Sequence, residues 1–274
     1  MKVVSDISIN SAPARPREGW HPGYLFRDGE RGAWFDTSAP SALWQDTAAT
    51  LPAAPDAPVA RIDDLSGNGH HMIQASAAAR PVLRATASGS ALEFDGANHL
   101  MQAMSPPSDW AWAHQQGGVT IGVAAEVSHR TDTLEFLIGT MSGSSSTETG
   151  VVLNSDNRDI IDNPRNARVM IGRGIAGQVA AFFAVHSAVT TKVWTYVTDA
   201  SGVRLTGQDF AVQSGWMNLP TAAGDPSLTL FLGGAGGNRL LGRIHAAVIV
   251  DRELGAGEEA RLRGWLAARA GVAG

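Results

Sequence analysis

The sequence predicts an all-β fold, in which two antiparallel sheets form a sandwich with one helix at the C-terminal end. Apolar residues recur at every second position in several short segments, as they do in strands with one buried face. The 31 glycines and 13 prolines cluster between these segments, where tight turns are needed. A helical period is visible once, so the pattern lacks the helix-strand alternation of a parallel α/β sheet.

The strongest strand signal lies in residues 118–128, where the apolar positions form one face: Val119, Ile121, Val123, Ala125 and Val127. A second alternating segment predicts a shared face for Ile244, Ala246, Val248 and Val250. Shorter apolar runs bounded by turn-forming residues lie at 91–95, 134–139, 151–154, 168–172, 179–186, 193–199 and 228–233. These segments predict roughly ten strands. They show no fixed repeat, which argues against a propeller or a β-helix.

One helix is predicted over residues 258–270. Its apolar stripe follows the spacing i, i+3, i+4 and i+7, with Leu262, Trp265, Leu266 and Arg269. Glu258 and Glu259 occupy the first turn, where the helix dipole favours negative charge, and Gly271 supplies a C-terminal stop. We expect this helix to lie against the sandwich and to cover apolar surface.

Residues 1–22 are predicted to form an arm, distinct from a globular body at 23–274. Residues 3–10 fit one short strand, and Pro13, Pro16 and Pro22 then favour an extended linker. Such an arm either docks on a neighbouring subunit or is a frayed terminus. The start lacks the apolar stretch of about 7–15 residues that a signal peptide needs, so no Sec export is expected.

Composition excludes several classes of protein. A formal net charge of −5 without a run of Lys or Arg argues against nucleic acid or membrane surfaces as partners. The chain has no cysteine, which excludes disulfides, thiolate nucleophiles and cysteine-ligated zinc. The longest apolar run, residues 179–185, falls far short of the roughly 20 residues that span a bilayer, so we expect a soluble protein without membrane insertion.

Four local motifs occur in order between residues 32 and 254. They are GAWFD at 32–36 with LWQD at 43–46, DLSGNGHH at 64–71 with ARP at 79–81, LEFDGANHL at 92–100, and GRI at 242–244 leading to VDREL at 250–254. Together they resemble the laminin-G-like, concanavalin A-like jelly-roll superfamily, in the form found in structural proteins of tailed phages, prophages and gene transfer agents. Gly255 departs from the usual Ser or Thr before the helix. The resemblance implies a two-sheet jelly roll, and it leaves function open because this scaffold hosts lectins, glycosidases, protein-binding modules and structural domains.

Glu93 and Asp95 are the best candidates for catalysis. At i and i+2 on a strand they share a face, and glucanases of the related superfamily carry acidic residues in E-x-D-x-x-E or E-x-D-x-E runs. Here the third carboxylate is missing, and the simpler interpretation is a strand that enters an Asp-Gly turn. Nucleophile-elbow, zinc-protease and phosphate-loop motifs do not occur. We therefore expect a protein without catalytic residues.

An oxygen-rich calcium site is a second hypothesis, since several jelly rolls of this superfamily bind the ion with Asp, Asn and backbone carbonyls. Its candidate ligands are Asp64, Asn68, Asp95 and Asn98. The alternative is that these residues are ordinary turn formers. The eight histidines are scattered, and His70 and His71 would face opposite ways on a strand, which argues against zinc.

Exposed aromatic rings that stack on sugars are the third hypothesis. Trp110, Trp112 and Trp216 lie beside polar and turn-forming residues, and they are the candidate carbohydrate-binding residues. The alternative is that they are partly buried loop anchors. Tryptophans within apolar patterns are predicted to lie in the core: Trp34, Trp44, Trp194 and Trp265.

Three functions remain open. The first is a non-enzymatic spike, fibre or tail-tip component of a phage-like particle that binds host-cell surface polysaccharide. The second is a structural or decoration protein of that particle without a sugar ligand, and the third is a glucanase-like enzyme. The first predicts receptor binding at the particle surface, contacts with other particle proteins through residues 1–22, a homo-oligomer, assembly in the cytoplasm and release by lysis.

Overall fold

The structure is a computed structural model that describes residues 19–115, 118–128, 133–142, 148–156, 166–173, 179–185, 193–198, 203–207, 213–215 and 224–273. The strands of the first part of the chain are β1 (Gly32–Asp36), β2 (Leu43–Trp44), β3 (Arg61–Ile62), β4 (Met72–Ile73), β5 (Val82–Thr86), β6 (Gly89–Asp95), β7 (Met101–Ala103), β8 (Val119–Val127) and β9 (Leu134–Gly139).

Ten further strands and the helix follow: β10 (Thr149–Asp156), β11 (Asn166–Arg173), β12 (Val179–Val185), β13 (Val193–Thr198), β14 (Val203–Gly207), β15 (Gln213–Gly215), β16 (Phe231–Leu232), β17 (Gly234–Ala235), β18 (Asn238–Arg239), β19 (Leu241–Val250) and α1 (Ala256–Ala270). Short 3-10 helices lie at Pro22–Phe26, Pro40–Ala42, Ala77–Ala79 and Pro107–Ala113.

Two large antiparallel sheets form the sandwich. Sheet A has the order β15-β14-β13-β8-β19-β6-β5, and β1 pairs with the second half of β19. Sheet B has the order β12-β11-β10-β9-β16-β7-β4-β3-β2. Consecutive strands pair at the ends of both sheets, whereas the central pairs, such as β8 with β19 and β9 with β16, join strands distant in sequence, as in a jelly roll. The predicted all-β sandwich with a C-terminal helix is confirmed.

The main core lies between the two sheets. The alternating side of β8 contributes Val119, Ile121, Val123, Ala125 and Val127, each buried as the period of two predicts. Large buried rings of sheet A complete this core, and they include Trp194, Tyr196 and Phe94. Trp194 thus lies in the core, as predicted.

A β-bulge corrects the prediction for β19. The register with β8 shifts between Ile244 and Ala246, so His245 is an extra residue in the ladder. Ile244 faces the core between the sheets, whereas Ala246, Val248 and Val250 lie on the opposite face of sheet A. The prediction of one shared face is therefore wrong, because one inserted residue moves every later side chain to the other face.

Helix α1 packs on that opposite face of sheet A. Leu262 and Leu266 are fully buried there, and they lie against Gly122, where a side chain would collide with Leu266 at 2.9 Å. Trp265 is 9% exposed and packs edge-on against Trp34. Gly271 ends the helix in the left-handed conformation, with φ of 70°, as predicted.

The proposed division at residue 22 stays a prediction, because residues 1–18 lie outside the described part of the chain. Trp20 is partly buried and packs against the hydrophobic cluster between helix α1 and sheet A. The His21 ring stacks on Trp34, with 5.5 Å between the ring centroids. Within the described residues, no helix combines the length and apolar character needed to cross a membrane.

Candidate functional site

The outward face of sheet B carries a row of side chains across its short strands. The register pairs Trp44 with Arg61, Arg61 with Ile73, and Ile73 with Gln102. Their sequence neighbours Leu43, Ile62, Met72, Met101 and Ala103 point into the core. The row therefore lies on the solvent side, since successive strand residues face opposite ways. We call this surface the Trp44 face, and it consists of Trp44, Arg61, Asp63, His71, Ile73, Gln102 and Met104.

Asp63 organises the polar part of the Trp44 face. Its carboxylate accepts hydrogen bonds from Trp44 Nε1 at 2.8 Å and from Arg61 Nε at 2.7 Å. His71 Nδ1 lies 3.1 Å from the same carboxylate, and the Asp64 backbone N–H donates to this nitrogen at 3.2 Å. These contacts orient the Trp44 indole and the Arg61 guanidinium on the sheet.

The Trp44 face is accessible to a ligand. The side chain of Arg61 is 17% exposed, that of His71 is 30% exposed, and Met104 at the far end is 54% exposed. Trp44 and Ile73 are partly exposed and Gln102 is exposed. An aromatic ring beside a guanidinium, an amide and an imidazole offers both apolar contact and hydrogen bonds, which is the composition of a sugar-binding surface.

Sequence reasoning missed this site because it placed Trp44 in the core. The apolar pair Leu43 and Trp44 resembles buried residues, yet strand β2 has only two residues and exposes the second. A signal was available nearby, since Arg61, Ile62 and Asp63 alternate polar, apolar and polar. That alternation shows a strand with one open face, although the neighbour of that strand depends on the tertiary fold.

Two of the predicted sugar-binding tryptophans are buried. Trp110 is 0% exposed and donates its Nε1–H to Ser105 Oγ at 3.1 Å, and Trp112 is 7% exposed and donates to the carbonyl of Asp109 at 2.8 Å. Neither ring presents a free face, so the prediction of exposed stacking rings is wrong for this pair. They anchor the 3-10 helix Pro107–Ala113 to the core. Trp216 lies outside the described residues.

Asp64 and Asn68 stabilise a turn with their polar atoms. The Asp64 carboxylate accepts the backbone N–H groups of Trp34, Ser66 and His70 at 2.9–3.0 Å. The Asn68 side-chain amide donates to the carbonyls of Glu30 and Gly32. The SGNG motif thus ties its loop to the start of β1.

Asp95 and Asn98 lie in a separate turn after β6. Asp95 Oδ1 accepts the backbone N–H groups of residues 97, 98 and 99 at 2.8–2.9 Å. Asp95 pairs with Leu241, whereas the Asp64 partner Trp34 pairs with Val248, seven residues farther along β19. Seven residues of strand span about 23 Å, so the two turns lie near opposite ends of β19.

One calcium site made of Asp64, Asn68, Asp95 and Asn98 is therefore wrong, because the fold separates the two pairs. Among the described residues, no group of three or more His, Asp or Glu is arranged to hold a metal ion. The turn-forming interpretation describes all four residues.

Glu93 is held between two arginines on the outer face of sheet A. Its carboxylate accepts from Arg84 Nε at 2.8 Å and from Arg243 Nη2 at 2.9 Å. Burial raises the pKa of Glu93, but the hydrogen bonds from Arg243 and Arg84 outweigh it and hold the pKa below its usual value. The pKa of Asp95 is also lowered, because three backbone hydrogen bonds outweigh the effect of burial. Both carboxyls are thus stabilised in the ionised form, which does not suit a general acid.

Comparison with protein-family models matches no family, and comparison with curated proteins finds no relative. Solved structures do share the fold. An arabinofuranosidase complexed with arabinofuranosyl-alpha-1,2-xylobiose superposes with a TM-score of 0.63 at 13% identity, over 91% of this chain and 65% of that one. This chain thus spans about two thirds of that enzyme chain.

Two further solved structures are similar. Domain 4 of AbnA, a GH43 extracellular arabinanase from Geobacillus stearothermophilus in complex with arabinotriose, gives a TM-score of 0.50 at 11% identity, over 85% of this chain and 98% of that one. The botulinum neurotoxin serotype D binding domain gives 0.51 at 10% identity, over 83% and 50%. At these identities the likeness shows the fold alone. The protein belongs to the class of large jelly-roll β-sandwiches. The outer side of its sheet B carries the polar and aromatic residues of the Trp44 face.

Proposed function

We propose that this protein is a non-enzymatic carbohydrate-binding β-sandwich and that the Trp44 face is its polysaccharide site. The observation that carries the proposal is the position of Trp44. Its indole lies on a solvent-facing sheet surface, is fixed by the hydrogen bond to Asp63, and is bordered by Arg61. A preoriented ring with adjacent hydrogen-bonding groups matches the amphipathic faces of a sugar, and fixing it beforehand reduces the entropy lost on binding.

The fold supports this proposal by analogy. Two of the similar solved structures, an arabinofuranosidase and domain 4 of an arabinanase, are complexes with sugars. A β-sandwich of this type can therefore hold a glycan. The analogy does not say where on the sandwich a sugar binds. In this chain we assign the site to the Trp44 face.

The state of the carboxylates supports a binding role without catalysis. Cleavage of a glycosidic bond commonly needs two carboxyl groups with divided roles, one of them protonated. Asp63 is paired with Arg61 at 2.7 Å, and Glu93 is paired with Arg84 and Arg243. Each carboxylate is thus occupied by an arginine, and the two lie on different sheets.

The particle role extends this proposal. The motifs between residues 32 and 254 are similar to those of phage-type jelly rolls, which supports a place on the surface of a phage-like particle, with host-cell surface polysaccharide as the ligand. Deletion of the chain should then yield particles that assemble but no longer adsorb to cells. Particles that adsorb normally and assemble poorly would instead indicate a decoration protein.

A glycan array with the purified protein tests the binding function. The parent protein should bind a subset of polysaccharides, and Trp44→Ala should lose about thirtyfold in affinity, as expected for an aromatic hot spot. Arg61→Ala should also weaken binding, and Arg84→Ala on sheet A is its matched control, since both arginines pair with carboxylates on partly exposed surfaces. Equal binding by the parent and the folded Trp44→Ala variant would reject the Trp44 face as the site.

A further inference from the structure

The shape of the Trp44 face limits what it can hold. Strands β2, β3, β4 and β7 each contribute one side chain to the row that runs from Trp44 to Gln102. Adjacent strands lie about 4.8 Å apart, so this row spans about 14 Å across the sheet. That span is the length of a trisaccharide, and it exceeds a single sugar ring.

The row has one closed end and one open end. The next position after Gln102 is Phe231 on β16, which is 0% exposed and therefore unavailable to a ligand. At the other end, Trp44 is followed by Pro52, which forms a bridge with it and is exposed. A longer chain would thus leave the site over Pro52 and extend into solvent.

Apolar and polar side chains alternate along the row. Trp44 and Ile73 are apolar, and Arg61 and Gln102, which alternate with them, offer hydrogen-bond donors. Sugar units that lie across the strands would meet an apolar surface and a polar group in turn. Each added unit along the row therefore gains contacts that a single sugar lacks.

The charge of the Trp44 face favours neutral sugars. Arg61 is paired with Asp63 at 2.7 Å, and its Nη1 also points to the carbonyl of Thr47 at 3.4 Å. The formal charges of Arg61 and Asp63 cancel. Within the Trp44 face, the Asp63 carboxylate offsets Arg61, so a uronic or sialic acid unit on the row would lie near that carboxylate without gaining a new ion pair.

We infer that the Trp44 face binds a linear run of about three neutral sugar units, which lies across strands β2 to β7 and leaves the protein over Pro52. This inference rests on the proposed carbohydrate-binding function and adds to it the length, direction and charge class of the ligand.

Calorimetry with oligosaccharides of graded length tests it. The probes are neutral series of β-1,4-xylan, β-1,4-glucan and α-1,5-arabinan, from one to six units, with oligogalacturonides as the acidic series. Affinity for a recognised neutral series should rise up to about three units and then level off. Gln102→Ala should lower affinity for the trimer about fivefold, as expected for one lost hydrogen bond, and leave that for the monomer unchanged.

Gln115→Ala is the matched control, because Gln115 is an exposed glutamine outside the row. A monomer bound as tightly as the trimer, affinity that keeps rising to six units, or preference for the acidic series would overturn the inference and leave carbohydrate binding intact. Absence of binding by every probe and on the glycan array would overturn the proposed function itself. Circular dichroism of each variant separates loss of fold from loss of binding.

Discussion

Glu259 links helix α1 to sheet A, and its removal should destabilise the protein by an amount that the structure allows us to estimate. Its side chain is 9% exposed, and Oε2 accepts hydrogen bonds from Arg204 Nη2 at 2.7 Å and Nε at 3.0 Å. The other oxygen, Oε1, faces the hydroxyls of Thr195 and Thr206, each at 3.4 Å. The carboxylate thus joins the first turn of the helix to β13 and β14.

The cost of Glu259→Ala follows from the exposure of its partner. Breaking a fully buried ion pair costs about 3–5 kcal/mol, because the remaining charge stays buried. The Arg204 side chain is 31% exposed and regains water, so we expect a loss of about 2 kcal/mol in the free energy of unfolding. For a domain of this size, that loss lowers Tm by about 4–8 °C.

Urea denaturation of Glu259→Ala, Arg204→Ala and the double variant would measure the coupling between the two residues, which we expect at about 1–2 kcal/mol. Glu258→Ala is the control one residue away. Glu258 pairs with Arg252, but both side chains are about 30% exposed, so its loss should cost less than about 1 kcal/mol. A Glu259→Ala variant no less stable than Glu258→Ala, or a coupling below about 0.5 kcal/mol, would refute the reasoning.

Four further outcomes are expected. Burial lowers the pKa of His70, and this effect outweighs the nearby carboxylates of Asp64 and Asp109, which raise the pKa. The unfolded state therefore binds the proton more readily, so the free energy of unfolding should fall as pH drops below about 6.5. His70→Gln should make that decline shallower in urea titrations. Asn154 is fully buried and its amide finds no hydrogen-bond partner among the described residues, so Asn154→Leu should raise the free energy of unfolding by about 1 kcal/mol in the same assay, and a loss would show that the amide is satisfied. Trp110→Ala should destabilise the fold by about 3–5 kcal/mol in denaturant melts, whereas Trp44→Ala, on the surface, should cost much less. A chelator should leave Tm unchanged in calorimetry, because backbone N–H groups already satisfy the carboxylates of Asp64 and Asp95.

Much of the fold was predictable because its signals are local. The alternation in residues 118–128 identifies β8 and its core-facing side, and the structure buries those same residues. The stripe that ends at Gly271 identifies helix α1, although the helix begins two residues earlier than predicted, at Ala256. Hydrophobic period and glycine conformation depend on adjacent residues, so a single sequence displays them.

The candidate site was less predictable, because exposure depends on distant parts of the chain. Trp110 lies in a polar context, yet it is buried against residues such as His70, whose ring lies 4.6 Å away. Trp44 lies in an apolar context and remains on the surface, because the Arg61 strand pairs beside it and its outer face stays open. Local composition thus misassigned both tryptophans.

By itself, the sequence determined the fold class, the core-facing side of β8 and the C-terminal helix, since each follows from a repeat between residues close along the chain. Only the tertiary structure decided which faces are covered. The bulge at His245 turns Val248 toward helix α1. The pairing of β2, β3, β4 and β7 brings Trp44 into one row with Gln102, although the two residues are 58 positions apart in the sequence. Coverage and long-range register depend on packing between segments far apart in sequence, and such packing leaves no local pattern.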